Sequence, residues 1–418
     1  MEKKRILAIP ALGYAHVTRL IELVSALQRD FDVLTVVTQP FKELTDNLGL
    51  ESLVLNHSGI DYNKIAKGNV NVFTVEEMSQ MAHDYVDVLM QNRPDFVVTS
   101  GVVPAHIAIR HLGLPHVSVL DTSTTPYANH KIQISQEFVL KGKMFQSGAS
   151  EQEVYGLLSK MSLEERRKQV ATVDELAKPI IDTFNNVTQQ FRVRQATNII
   201  DMLQGDLNLM PDLPSIFPAS NLPDNFVYIG PLAWNSTSEV LETEIRIDRG
   251  KPLVYVSMGS SGNQRDLQKL AELLSKSEYQ VVMTVGGVAN SDDLKKYERQ
   301  GFYVRKFLPG SKVIKSSDKT IVICHGGLGT VYQALENGAH GIMVIPAHPQ
   351  HDLVGDRLEE LGLGKTVRFD ELDKIVESTA RFLSLPKSPA YEKLNTELRD
   401  YRGPVRGREV ILSFAERL

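Results

Sequence analysis

The feature that most constrains this chain is an alternation of short apolar runs with amphipathic stretches, and the alternation occurs twice. Arg5-Ile6-Leu7-Ala8-Ile9-Pro10 is the first apolar run, and Gly13 follows it. Leu20, Leu23, Val24 and Leu27 then recur at helical spacing between His16 and Gln28. Residues 32–38 are rich in β-branched side chains and bounded by polar ones. Strand, turn, helix, strand is one βαβ unit, and strands apolar on both faces belong in a parallel sheet covered on both sides. The pattern repeats through Phe96-Val97-Val98, a helix over 104–112 and a strand over 116–120. A second series opens at 252–257 and continues through 280–285, 302–306, 320–324 and 341–345.

A chain of 418 residues exceeds what one core usually holds. The two series therefore predict an α/β protein of two doubly wound domains. The expected division is an N-terminal domain over 1–231, a linker over 232–250 poor in apolar periodicity, a C-terminal domain over 251–400, and a helix over 401–418 returning to the N-terminal domain. Between Asn129 and Leu203 the reading is mostly helical, either as a cover over a cleft or as a solvated insertion.

Composition excludes several classes. A formal net charge of −5 argues against a basic nucleic-acid-binding face. The single cysteine, Cys324, allows no intrachain disulfide and no cysteine-based zinc site. The apolar run 6–10 is too short for a signal-peptide core, and no stretch approaches the roughly 18 apolar residues of a membrane span. The expectation is a soluble, cytoplasmic protein.

The strongest local motif is Cys324-His325-Gly326-Gly327-Leu328-Gly329-Thr330 at a strand-to-helix turn. Glycines let a ligand approach the backbone, and a helix start offers unpaired N–H groups and a positive dipole end to an anion. His325 and Thr330 add side-chain donors. Gly259-Ser260-Ser261-Gly262, after another strand, is a second candidate anion nest. Taken alone, each is also consistent with a turn whose glycines serve packing only.

The order of the neighbouring motifs is more specific. Phe307-Leu308-Pro309, the His325 motif, Gly338, Pro346, Gln350-His351 and Asp356-Arg357-Leu358-Glu359-Glu360-Leu361-Gly362 follow one another over about a hundred residues. In this series the chain resembles the UDP-glycosyltransferases, inverting enzymes of the two-Rossmann-domain type. Gly13-Tyr14-Ala15-His16 and Ile229-Gly230-Pro231-Leu232 extend the resemblance over the whole length. It implies two Rossmann-like domains facing a central cleft, the GT-B arrangement, with the donor in the C-terminal domain and the acceptor in the N-terminal one.

Carried over by position, the resemblance places Phe307 against the nucleobase and the Leu308 backbone at the base edge. Gly259 and Ser260 join the donor site. His325, the glycines Gly326, Gly327 and Gly329, and Thr330 hold the pyrophosphate. Gln333 stands where the family often has a glutamate on the ribose, and Gln350-His351 stands for an Asp-Gln pair that reads the sugar. His340 replaces a proline. The resemblance also makes His16 the general base that deprotonates an acceptor hydroxyl; by itself His16 is equally a polar cap on the first helix. The family's partner aspartate is replaced by Ser100, at the end of Pro94-Asp95-Phe96-Val97-Val98-Thr99-Ser100, and Asp121, at the end of the next strand, is the candidate substitute.

No metal or other cofactor is expected beyond the nucleotide-sugar co-substrate, a UDP- or TDP-sugar. The one Asp-x-Asp, Asp30-Phe31-Asp32, reads as polar punctuation between helix and strand. Apolar residues in 62–74 and 122–143, with Phe73 and Tyr127 as the candidate contacts, suit an aromatic or lipid-like small-molecule acceptor; they serve equally to pack the insertion. Two alternatives stay open: nucleotide-sugar epimerisation, and a nucleotide-sugar-binding or activator subunit without catalysis.

Overall fold

The computed structural model describes residues 3–11, 13–55, 72–234, 245–259, 262–286 and 289–418. The chain forms two compact units. The first holds Met1–Leu232 with Arg399–Leu418, and the second holds Ala233–Leu398.

The first unit is built on seven parallel strands: β1 (Arg5–Pro10), β2 (Asp32–Val37), β3 (Ser52–Val54), β4 (Phe96–Ser100), β5 (His116–Val119), β8 (Leu207–Met210) and β9 (Phe226–Tyr228). Their order is β3-β2-β1-β4-β5-β8-β9. Two further strands, β6 (Ile134–Ser135) and β7 (Gln169–Ala171), form a separate antiparallel pair within the helical insertion. Five short elements of this unit escaped the sequence pattern, because two to four residues carry too little periodicity to register: β3, the pair β6 and β7, β8 and β9.

Strand alternation divides the apolar side chains between the two faces of the sheet. Leu7, Ile9 and Val97 point into one core with Tyr85, Ile107 and Phe184 from the covering helices. Ile6, Ala8, Phe96 and Val98 point into the other, with Leu20, Leu23 and Leu27 of the helix Tyr14–Leu27. Both faces are therefore dry, as the near-continuous apolar strands required.

The final helix, Gly403–Ala415, packs on Tyr14–Leu27 and places Ile411 and Phe414 in that second core. Arg408 there binds Asp30 through two hydrogen bonds of 2.6 and 2.8 Å, which is the role the structure gives the Asp-x-Asp segment. The helix enters through a tight crossing. Gly230 has φ +90°, and a Cβ on it would lie 2.5 Å from the Tyr401 Cβ. A Cβ on Gly403 would run into the Pro231 carbonyl oxygen.

The second unit carries six parallel strands: β10 (Leu253–Ser257), β11 (Gln280–Thr284), β12 (Phe302–Arg305), β13 (Thr320–Cys324), β14 (Gly341–Val344) and β15 (Gly364–Thr366). Their order is β12-β11-β10-β13-β14-β15. Val254, Val256, Val281, Met283, Ile321, Ile323 and Met343 bury one face against the helices Gln264–Ser275 and Ile375–Ser384. Both sheets are doubly wound, and each reverses its strand order once, between β1 and β4 and between β10 and β13. Ligands of such sheets bind beyond the carboxyl ends of the strands at that reversal. Of the expected linker 232–250, residues 235–244 lie outside the described residues.

Replacing Gly403 by Ala forces backbone apart where the last helix joins the first unit. The expected cost is about 1–3 kcal/mol or more of unfolding free energy, measured by urea denaturation; unchanged stability would contradict the crossing geometry.

Candidate active site

Two histidines lie at the two strand-order reversals, each pressed against a glycine. His16 sits in the first turn of Tyr14–Leu27, just after β1. Gly101 follows the adjacent strand β4 and has φ +71°. A Cβ there would lie 2.9 Å from the His16 Cε1, so only glycine admits the ring. Ser100, the last residue of β4, places its Oγ 3.1 Å from the His16 Nδ1. The ring is thus held at its Nδ1.

Asp121 does not take the place at Nδ1 that the sequence suggested for it. Its carboxylate pairs with Arg19 at 2.7 Å, and Arg19 lies one helical turn beyond His16. The reason is geometric: Ser100 on the neighbouring strand end already occupies Nδ1. Asp121 acts on His16 through its charge alone. Burial and the Arg19 charge push the imidazole down to about 4, while Asp121 pulls it up. His16 is therefore neutral at pH 7.

A further acid stands behind this pair. Asp212 is fully buried and accepts the Thr122 backbone N–H at 2.8 Å. Burial and the nearby Asp121 raise its carboxyl to about 6. Sequence reasoning missed Arg19 and Asp212. Arg19 was legible as the i+3 neighbour of His16. Asp212 was not, because the strand β8 before it went unrecognised.

The other reversal has the same construction. β13 ends at Cys324, and His325, 5 % exposed, turns back over Gly259, which follows β10 with φ +57°. A Cβ on Gly259 would collide with the His325 ring, and one on Gly327 would lie 2.5 Å from its Nε2. Gly326, with φ +95°, is the tight turn itself. Gly327 caps the helix Leu328–Glu336, whose free N–H groups open beside the imidazole. Gly329 is exposed with open space beside it, and Thr330 is half-buried next to it. The glycines thus serve the approach of His325 as much as that of a ligand. Cys324 is buried, and burial pushes its thiol up to about 12, so it is neutral and inert.

His351 is buried, meets His325 edge-on with centroids 4.5 Å apart, and stacks on His348 with centroids 3.5 Å apart. Gln350 beside it is half-buried. Gln333 donates its amide N–H to the Trp234 carbonyl at 2.8 Å and turns its Oε1 to Gly310. Phe307 is exposed and Leu308 half-buried at the loop after β12. Ser260 lies outside the described residues. Among the described residues, no set of three or more His, Cys, Asp or Glu side chains is arranged to hold a metal ion. No helix among them is long and apolar enough to cross a membrane.

Phe73 requires correction as an acceptor contact. It is buried in the core with Met78, Tyr85 and Leu7, so its ring packs the domain. Tyr127 packs edge-on against Phe226 with centroids 5.0 Å apart and stays partly exposed.

Residues 253–397 match the glycosyltransferase family 28 C-terminal domain. The family 28 segment spans β10 to β15 and so contains His325, His348 and His351. Over the whole chain the fold is GT-B. The spinosyn rhamnosyltransferase SpnG superposes with a TM-score of 0.69 at 15% identity, covering 99% of this chain and 100% of that one. The glycosyltransferase VinC in complex with DTDP gives 0.67 at 17%, covering 99% and 100%. In sequence the chain is 25% identical over 293 residues to a PGL/p-HBAD biosynthesis rhamnosyltransferase of Mycobacterium bovis, covering 68% of this chain and 59% of the relative. The chain thus spans about three-fifths of the length of the first curated relatives it matches. It is 24% identical over 386 residues to the NDP-glycosyltransferase YjiC of Bacillus subtilis, covering 89% and 86%.

Because Arg19 lowers the His16 midpoint, Arg19→Gln is expected to raise it from about 4 toward the ordinary value near 6.5. An NMR titration of the ring protons measures this; an unmoved or lowered midpoint would contradict the assignment.

Proposed function

We propose that this protein is an inverting glycosyltransferase that moves a sugar from a nucleoside-diphosphate donor to a hydroxyl of a small-molecule acceptor. The observation that carries the reading is the paired construction: a neutral, oriented histidine at one strand-order reversal and a glycine-lined helix start at the other. The family 28 segment and the names of the relatives support it.

In this mechanism the donor's diphosphate lies at the turn Gly326–Gly327, against the start of Leu328–Glu336 and the His325 ring. Phe307 faces the base and Gln333 the ribose. The acceptor oxygen forms its bond to the anomeric carbon as the carbon–oxygen bond to the diphosphate breaks, and its proton passes to the Nε2 of His16. One displacement at one carbon inverts the configuration. The Ser100 hydroxyl accepts from the Nδ1–H and holds the tautomer, while the Asp121 charge favours the imidazolium that forms. The helix start and the imidazoles take the leaving charge, so the chemistry proceeds without a divalent ion. The donor is a UDP- or TDP-sugar; VinC, with DTDP bound, supports thymidine as an alternative to uridine. The acceptor is an aromatic or lipid-like molecule, and Tyr127 is the remaining candidate contact. We place the reaction in the cytoplasm.

A second reading, nucleotide-sugar binding without catalysis, draws on one observation: Ser100 carries no charge to strengthen a base whose midpoint is about 4. Transfer by the purified chain alone would exclude it.

A thermal-shift panel of UDP, TDP and their sugars is expected to raise the melting temperature with at least one of them; no shift with any would overturn the reading. His16→Ala is expected to lower turnover about 10²–10⁴-fold while donor binding persists. Full turnover by that variant would remove His16 from the mechanism.

A further inference from the structure

Three imidazoles meet at the turn where the diphosphate is placed. His325 contacts His351, and His351 stacks on His348 with the ring planes 33° apart. His351 also backs Gly326, where a Cβ would lie 3.0 Å from its own Cβ. Two helices start here: Leu328–Glu336 after Gly327, and Pro349–Glu360 after His348. One pair is stacked and the other edge-on, and among the described residues no three His, Cys, Asp or Glu side chains are arranged to hold a metal ion, so this is not the geometry of a metal site. It is the geometry of an anion site, with imidazole donors and two helix starts on one turn.

We propose that His348 and His351, together with His325, form the diphosphate-holding face of the donor site, so that the nucleotide sugar binds together with a proton. The inference rests on the donor-binding reading above.

In the free protein the cluster carries no charge. Burial lowers His325 to about 4; burial and the His325 ring lower His348 to about 3; burial and both neighbours lower His351 well below its ordinary value. The other titratable groups on the packed elements do not supply a counter-charge. Asp352 is paired with Arg368, and Arg357 with Glu360. The remaining ones are Asp356 and Glu359 on Pro349–Glu360, Glu359 accepting the Thr366 backbone N–H at 2.8 Å, the Cys324 thiol on β13, Lys365 on β15, and Tyr332 and Glu336 on Leu328–Glu336; burial and the neighbouring imidazoles outweigh them at all three rings. An arriving diphosphate reverses the balance, because an anion in contact favours the charged imidazole.

Geometry also selects the ring. The Ala347 N–H donates to the His351 Nδ1 at 3.4 Å, so that nitrogen is an acceptor and a proton placed on it would oppose the amide. Rings 3.5 Å apart do not both carry charge at low cost. The proton therefore goes to His348 or His325, and of the three rings His348 is the one that keeps some exposure.

Calorimetric titration of the full-length protein with UDP-glucose and TDP-glucose, each in two buffers of different ionisation enthalpy, counts the protons. Intact sugar nucleotides are used because their diphosphate has no group titrating between pH 6.5 and 8.5. The wild type is expected to take up a substantial fraction of one proton, and Kd to weaken about threefold to tenfold per pH unit upward. His348→Phe is expected to bind with less than half that uptake and a flatter pH profile; His351→Phe is the companion variant. A pH-independent wild-type Kd with no proton uptake overturns the proposal and leaves the donor reading intact, and so does full uptake in both variants. Absence of binding by either sugar nucleotide at every pH overturns the donor reading itself.

Discussion

Everything proposed for this chain depends on the closeness of an imidazole to a backbone without a side chain. His16 lies against Gly101, and His325 against Gly259 and Gly327. At each contact a Cβ would stand within van der Waals exclusion of the ring. The glycines are set by the chain geometry: Gly101 and Gly259 hold positive φ directly beyond the strands β4 and β10, where the chain must turn sharply away from the sheet. In each unit the pair straddles the point where the strand order reverses. A doubly wound sheet leaves a crevice there, and here each crevice is filled by a histidine ring.

The two rings share a second property. Both are pushed down to about 4 by burial, and both are neutral at pH 7. In the proposed function, neutrality serves them differently. A base must have its lone pair free, and His16 is held ready by Ser100 on the other nitrogen. A diphosphate site gains most from charge that appears only when the anion arrives, and His325 belongs to a cluster of three rings able to supply it. In the proposed function, burial prepares one unit for proton abstraction and the other for anion capture.

The alternation of buried strands and amphipathic helices was legible because parallel strands covered on both faces are apolar without interruption, as at Ile6 to Ile9 and Val254 to Val256. The edge strand β3 and the elements β9 and β15 were not, since three residues hold no period. The consequence for the site was specific. Missing the strand β8 hid Asp212, whose buried carboxyl stands behind the Asp121–Arg19 pair. Asp121 itself was placed correctly along the chain and wrongly in partner, because only the fold shows that Ser100 reaches the Nδ1 first. Phe73 was read as an acceptor contact from its place in the stretch 62–74, yet its ring is in the core. The histidine motif was the clearest feature in the sequence, but the contact of His325 with His351 joins residues more than twenty positions apart.

The central claim is that the two glycine-backed histidines have separate duties, and one comparison tests it. Donor affinity and turnover are measured side by side for folded Gly259→Ala and Gly101→Ala. The account predicts that Gly259→Ala weakens the donor Kd about tenfold or more. It predicts that Gly101→Ala leaves that Kd within about twofold while turnover falls about 10²-fold, since a misplacement of about 1 Å is enough. Equal donor affinity in Gly259→Ala, or full turnover in Gly101→Ala, would contradict it.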